Sequence, residues 1–147
     1  MVSHLYNEVL ADLNEPDPID PFILPDPYNS NKSIFWNARN LKKYMRWSTV
    51  SNDRIGGLIN AYYLGYLFEE RIHDQPRSSR ISRKCRKQVP RHYVVAATRI
   101  YRLFKILGPQ QLYRTKSISY PMFLDLKKNE LSQLMQEAAL IIVGTMN

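Results

Sequence analysis

A chain of 147 residues, 44% hydrophobic and 23% charged, is sized for one domain and balanced like a globular protein, which excludes wholesale disorder. One Cys and three His exclude a disulfide framework and a Cys-based structural zinc site, and five Gly are too few for a fold built on glycine loops. The formal net charge of +8 is unevenly placed: residues 1–27 hold six acids and no Lys or Arg, which leaves +14 on the remainder, a body that attracts anions.

Ser3 is placed to cap a short helix carrying Leu5, Val9, Leu10 and Leu13 on one side, and Pro16 stops it. Five prolines (16, 18, 21, 25 and 27) interleave with Asp and forbid an interior helix or central strand. Residues 1–28 therefore read as an acidic Pro-rich arm with a short helix, and Phe22, Ile23 and Leu24 are the apolar anchor of its extended part. Pro25-Asp26-Pro27-Tyr28 resembles the PPxY peptides by which viral matrix proteins recruit WW domains, with the order P-x-P-Y in place of P-P-x-Y. Anchor and resemblance together assign a protein-partner site to Phe22, Ile23, Leu24, Pro25, Pro27 and Tyr28.

Residues 29–147 read as a basic helical domain. Ser33 is placed to cap a helix over about 34–47, with Ile34, Ala38, Leu41 and Met45 on one face and Arg39, Lys42, Lys43 and Arg46 on another. Trp36 and Trp47 flank those cations. A longer helix over about 52–73 starts at Ser51 or Asn52, and its apolar stripe is wide enough for burial on more than one side. Gly57, Ala61 and Gly65 recur every fourth residue in it, which predicts a groove for a closely packed helix despite the cost of about 1 kcal/mol for each helical Gly. Residues 74–91 hold seven bases, three serines and flanking prolines, and read as a mobile basic loop. The bases around Cys85 predict a stabilised thiolate.

Pro90 introduces a helix over about 91–107. Tyr93, Ala96, Ala97, Ile100, Leu103, Phe104 and Leu107 share one arc, Arg91, Arg99, Arg102 and Lys105 the other, and Gly108-Pro109 ends it. Ser117-Ile118-Ser119-Tyr120 alternates like a short strand. A final helix begins near Asn129 and ends before Gly144.

The fold expected is mostly α, a single small domain of four or five helices behind the extended arm. No dinucleotide fingerprint, P-loop, zinc-protease or nucleophile-elbow motif is present, so neither catalytic residue, metal nor cofactor is assigned, and an enzyme is not expected. His73-Asp74 and Glu69-Glu70 are adjacent pairs whose side chains diverge on a helix. The anion-binding residues expected are Arg77, Arg80, Arg83, Lys84, Arg86, Lys87, Arg91, Arg99, Arg102 and Lys105. The small size, acidic Pro-rich leader and basic aromatic body look like viral matrix or accessory proteins. That resemblance implies self-association and contact with RNA or an anionic membrane; a dedicated nucleic-acid-binding or packaging protein is the alternative. The partners expected are thus nucleic acid or an anionic lipid surface, a protein for the arm, and a second copy of the chain. Neither a signal peptide nor a membrane-spanning run is legible, and an intracellular location, cytoplasmic or nuclear, is expected.

Overall fold

In the computed structural model, which describes residues 4–13, 26–76 and 78–145, every regular element is helical. The α-helices are α1 (His4–Leu13), α2 (Ile34–Ser51), α3 (Arg54–Tyr66), α4 (Arg80–Gln88), α5 (Arg91–Leu107) and α6 (Lys128–Thr145). Helix α1 is the arm's short helix, and the five behind it, α2 to α6, fall within the four or five expected; α4 stands inside the segment read as a loop. The expected cap at Ser3 and the proline run from Pro16 to Pro25 lie outside the described residues. No helix among the described residues is long and apolar enough to cross a membrane.

Local chemistry sets the helix ends. Ser33 accepts the backbone N–H of Trp36 at 3.0 Å and caps α2 as its position predicts. The next boundary differs from the expectation. Asn52 closes α2 in the left-handed region (φ 61°, ψ 36°), and Asp53 caps α3 by accepting Gly56 N–H at 3.0 Å. Asn tolerates left-handed backbone, so two helices meet here without a glycine. The long helix expected to reach residue 73 leaves α geometry at Leu67 and finishes as a π-helical turn, Leu67–Ile72. The predicted strand at 117–120 does not form. Ile118 is fully buried there, and the chain passes between two 3-10 turns, Pro109–Arg114 and Tyr120–Leu124. Four alternating residues encode burial of every second side chain, which an irregular crossing satisfies equally well. Gly144 falls inside α6 rather than beyond its end.

Helix α3 is the centre of the molecule. Gly57, Leu58, Ile59, Asn60, Ala61, Tyr62, Leu64 and Gly65 are all buried, and α2 and α5 pack against it. The Gly-Ala-Gly row is the groove expected. Gly65 faces Ala97 and Tyr101 of α5, and Gly57 faces Ser48 of α2 and the ring of Tyr120. Tyr101 completes an aromatic cluster, its ring centroid 5.2 Å from that of Tyr62 and 6.1 Å from that of Tyr66.

The leader's helix belongs to this fold. Leu5, Tyr6 and Val9 are buried, α1 packs on α6, and Tyr6 Oη donates to Glu137 at 3.1 Å. Asp12 accepts the Lys116 backbone N–H at 3.3 Å. Leu5 and Val9 are thereby used within their own chain.

Burial pushes the Tyr63 and Tyr120 phenols up to about 12, helped by Asp26 beside Tyr63 and by Tyr93 beside Tyr120. A phenol whose pKa is higher in the folded than in the unfolded chain stabilises the fold fully below the unfolded value of about 10, and that contribution is lost as pH rises towards 12. On alkaline titration, the phenolate absorbance of these two tyrosines should appear together with loss of helical circular dichroism. All tyrosines ionising as one class near 10 with helicity intact would contradict their burial.

Candidate functional site

Helix α4 is rich in Arg and Lys, which are good helix formers, but has almost no apolar stripe. Ser79 caps it, accepting Ser82 N–H at 3.1 Å, and Arg86 and Lys87 in the last turn suit the helix dipole. Only Ser82 and Cys85 are buried within it, followed by Val89 just past its end. At 100° per residue Arg80, Arg83, Lys84 and Lys87 share the arc opposite that seam, and all four are exposed. Each is three or four residues from two of the others, so they repel one another, at about 0.2–0.5 kcal/mol per pair. Among the described residues no carboxylate lies within ion-pair distance of any of them. Lys84 places its ammonium 5.0 Å from the ring centre of Phe35 on α2, where the two helices pack.

The remaining expected anion-binding residues divide differently. Arg77 lies outside the described residues. Arg86 and Arg91 border a cleft of about 390 Å³ between α4 and α5, walled by Val89, Val94 and Val95. Arg99 is not free for a ligand, because its guanidinium donates to the carbonyls of Phe123 at 2.8 Å and Leu126 at 2.6 Å, tying α5 to the turn before α6. Arg102 pairs with Glu69 at 2.7 Å and Lys105 with Glu70 at 3.1 Å. Tyr101 Oη also donates to Glu70, and this bond and that from Lys105 hold the Glu70 carboxyl below its usual range. The basic face of α5 is thus largely spent on intramolecular contacts, and of the expected anion-binding residues described, those without a carboxylate partner concentrate on α4.

Cys85 departs from expectation. Its side chain is fully buried, and burial pushes the thiol up, with only partial relief from Arg86. Arg83, Lys84 and Lys87 lie on the outward arc while the sulfur points in, and only Arg86, which donates to Ser82 Oγ at 3.1 Å, acts on the thiol. His73 and Asp74 are both exposed at the end of the π-helical turn.

Helix α2 contributes a surface that the sequence-based site omitted. It contains no acid, and Arg39, Lys43, Arg46, Trp36 and Trp47 occupy one outward arc of about 100°. Trp47 is 52% exposed. Its ring leans on Tyr44 at 5.0 Å between centroids, and Tyr44 Oη is tied to Asp53 at 2.6 Å. The clue was available: cations at i, i+4 and i+7 bracketed by tryptophans.

Of the residues assigned to a protein partner, Phe22, Ile23, Leu24 and Pro25 lie outside the described residues. Pro27 and Tyr28 are half-buried on their own chain. Tyr28 stacks edge-on against Tyr66 at 5.6 Å, and its hydroxyl accepts from Arg71 at 3.1 Å. The buried Asn37 amide fixes the approach, accepting from Asn29 N–H at 2.7 Å and donating to the Asn29 and Ser33 carbonyls at 2.9 Å. No family model matches this chain, and neither a curated protein nor a solved structure matches it.

Proposed function

We propose that the chain is a non-enzymatic binding protein that takes a polyanion on the outward face of α4. The observation that carries this reading is the set Arg80, Arg83, Lys84 and Lys87, four exposed cations on one arc with no carboxylate within ion-pair distance among the described residues. Charges arranged this way are unfavourable to the free protein. A polyanion turns their mutual repulsion into attraction and gains further from released counterions.

The test replaces all four by Ala and follows binding of labelled RNA and of a non-nucleic polyanion, heparin, across a salt series. Each lost phosphate contact lowers the salt slope by about 0.7 on a single strand, so the slope should fall by about 3, with roughly 100-fold weaker binding near physiological salt. Stability should hardly change, since surface substitutions stay within about 0.5 kcal/mol and here also remove repulsion. An unchanged slope in a folded variant removes α4 from the interface.

A further inference from the structure

Resting on that reading of α4, we infer that the polyanion is a single-stranded nucleic acid laid along α2, with one base stacked on Trp47. Phe35, where Lys84 meets α2, and Trp47 are separated by about 18 Å along the helix axis. Between them Arg39, Lys43 and Arg46 lie on the arc that also carries Trp47, and none is within ion-pair distance of a carboxylate among the described residues. Cations therefore continue from α4 along α2 and end at an exposed indole.

Trp47 is held as a platform. Tyr44 supports one side of its ring and is itself fixed by Asp53, so little ring freedom is lost when a base settles on the open side. An aromatic surface among cations accepts any base, because every base has a flat π-face and the backbone phosphates supply the charge contacts. A duplex hides those faces within its stack. A lipid surface fits less well at α4, whose outward arc carries four cations with the exposed Ile81 off to one side; on α2 the exposed Val50 shares the arc of Trp36 and Trp47, and the vesicle arm of the test decides whether that arc meets lipid.

The full chain, Trp47→Ala and Trp47→Phe are compared for binding an oligouridine of about 16 nucleotides, the corresponding duplex, and vesicles of phosphatidylserine and phosphatidylcholine. Trp47→Ala should bind the single strand roughly 10-fold more weakly with an unchanged salt slope. Trp47→Phe should retain most of the affinity, and the duplex should not distinguish the variants. Helical circular dichroism of each variant confirms folding. Equal single-strand affinity of Trp47→Ala and the parent overturns the inference while leaving the α4 reading in place. Binding to vesicles but not to RNA also overturns it and assigns the surface to lipid. Absence of salt-sensitive binding to every polyanion overturns both.

Discussion

Replacing Gly65 by alanine is expected to destabilise the protein by about 3 kcal/mol, at the upper end of overpacking costs. A Cβ at this position falls well inside van der Waals contact distance of the Ala97 carbonyl oxygen and 2.6 Å from Tyr101 Cβ. Neither obstacle is the far end of a flexible side chain, so α3 and α5 must separate along the packed centre of the fold. The gain of about 1 kcal/mol in helix propensity is too small to compensate. Thermal unfolding should shift down by roughly 10 °C for a chain of this size. Gly56 supplies the contrast within the same helix. There a Cβ meets the Asp53 carboxylate, which can move at the expense of its cap, a loss of about 1 kcal/mol. A Gly65→Ala variant as stable as Gly56→Ala would show that α5 does not press on the groove.

Arg99→Met should cost about 2–3 kcal/mol while leaving polyanion binding and its salt slope intact. The guanidinium satisfies carbonyls at Phe123 and Leu126, and methionine keeps most of the stem but none of the donors. Phe123 stands near the end of the 3-10 turn Tyr120–Leu124 and Leu126 in the link to α6, so both carbonyls sit where regular helix bonding runs out. Chemical denaturation and the salt series together decide the point. A variant of unchanged stability with a shallower salt slope would return Arg99 to the binding surface.

Arg99 also shows what the sequence could and could not reveal. Helical spacing placed it correctly on the polar side of α5, but periodicity ranks positions only by the face they occupy. The carbonyls it serves lie 24 and 27 residues away and leave no mark on its own neighbourhood. The Ser33 cap, the two faces of α5 and the Gly57-Ala61-Gly65 row were legible because each is encoded within a few turns of one helix. Helix α4 was not, for two reasons. Its buried seam is Ser82 and Cys85, small side chains that do not register as an apolar stripe, and its cations are those of a loop by composition. The tertiary contact with α2 decides in favour of the helix. Asn52 was misread in a related way: a capping residue type was recognised, but it closes the preceding helix rather than opening the next. On the candidate surface, the cations of α4 were found from density alone. Setting aside those of α5 required the positions of Glu69 and Glu70, which the π-helical turn brings to Arg102 and Lys105.

The seat of α1 bears on the order of assembly. Its hydroxyl contact from Tyr6 to Glu137 joins residues 131 apart in sequence, whereas α2 and α3 are consecutive and α5 reaches α3 over a far shorter span. The entropy of closing a loop rises with its length, so α1 gains its contacts only after the remaining helices have provided a surface to receive it. It is correspondingly the element expected to leave first. Detachment uncovers Phe104 and Ile118, which line the depression where Val9 and Asp12 rest. A partly open form that keeps the other helices yet bares this apolar patch is the expected result on mild heating, and it is the form from which aggregation would start.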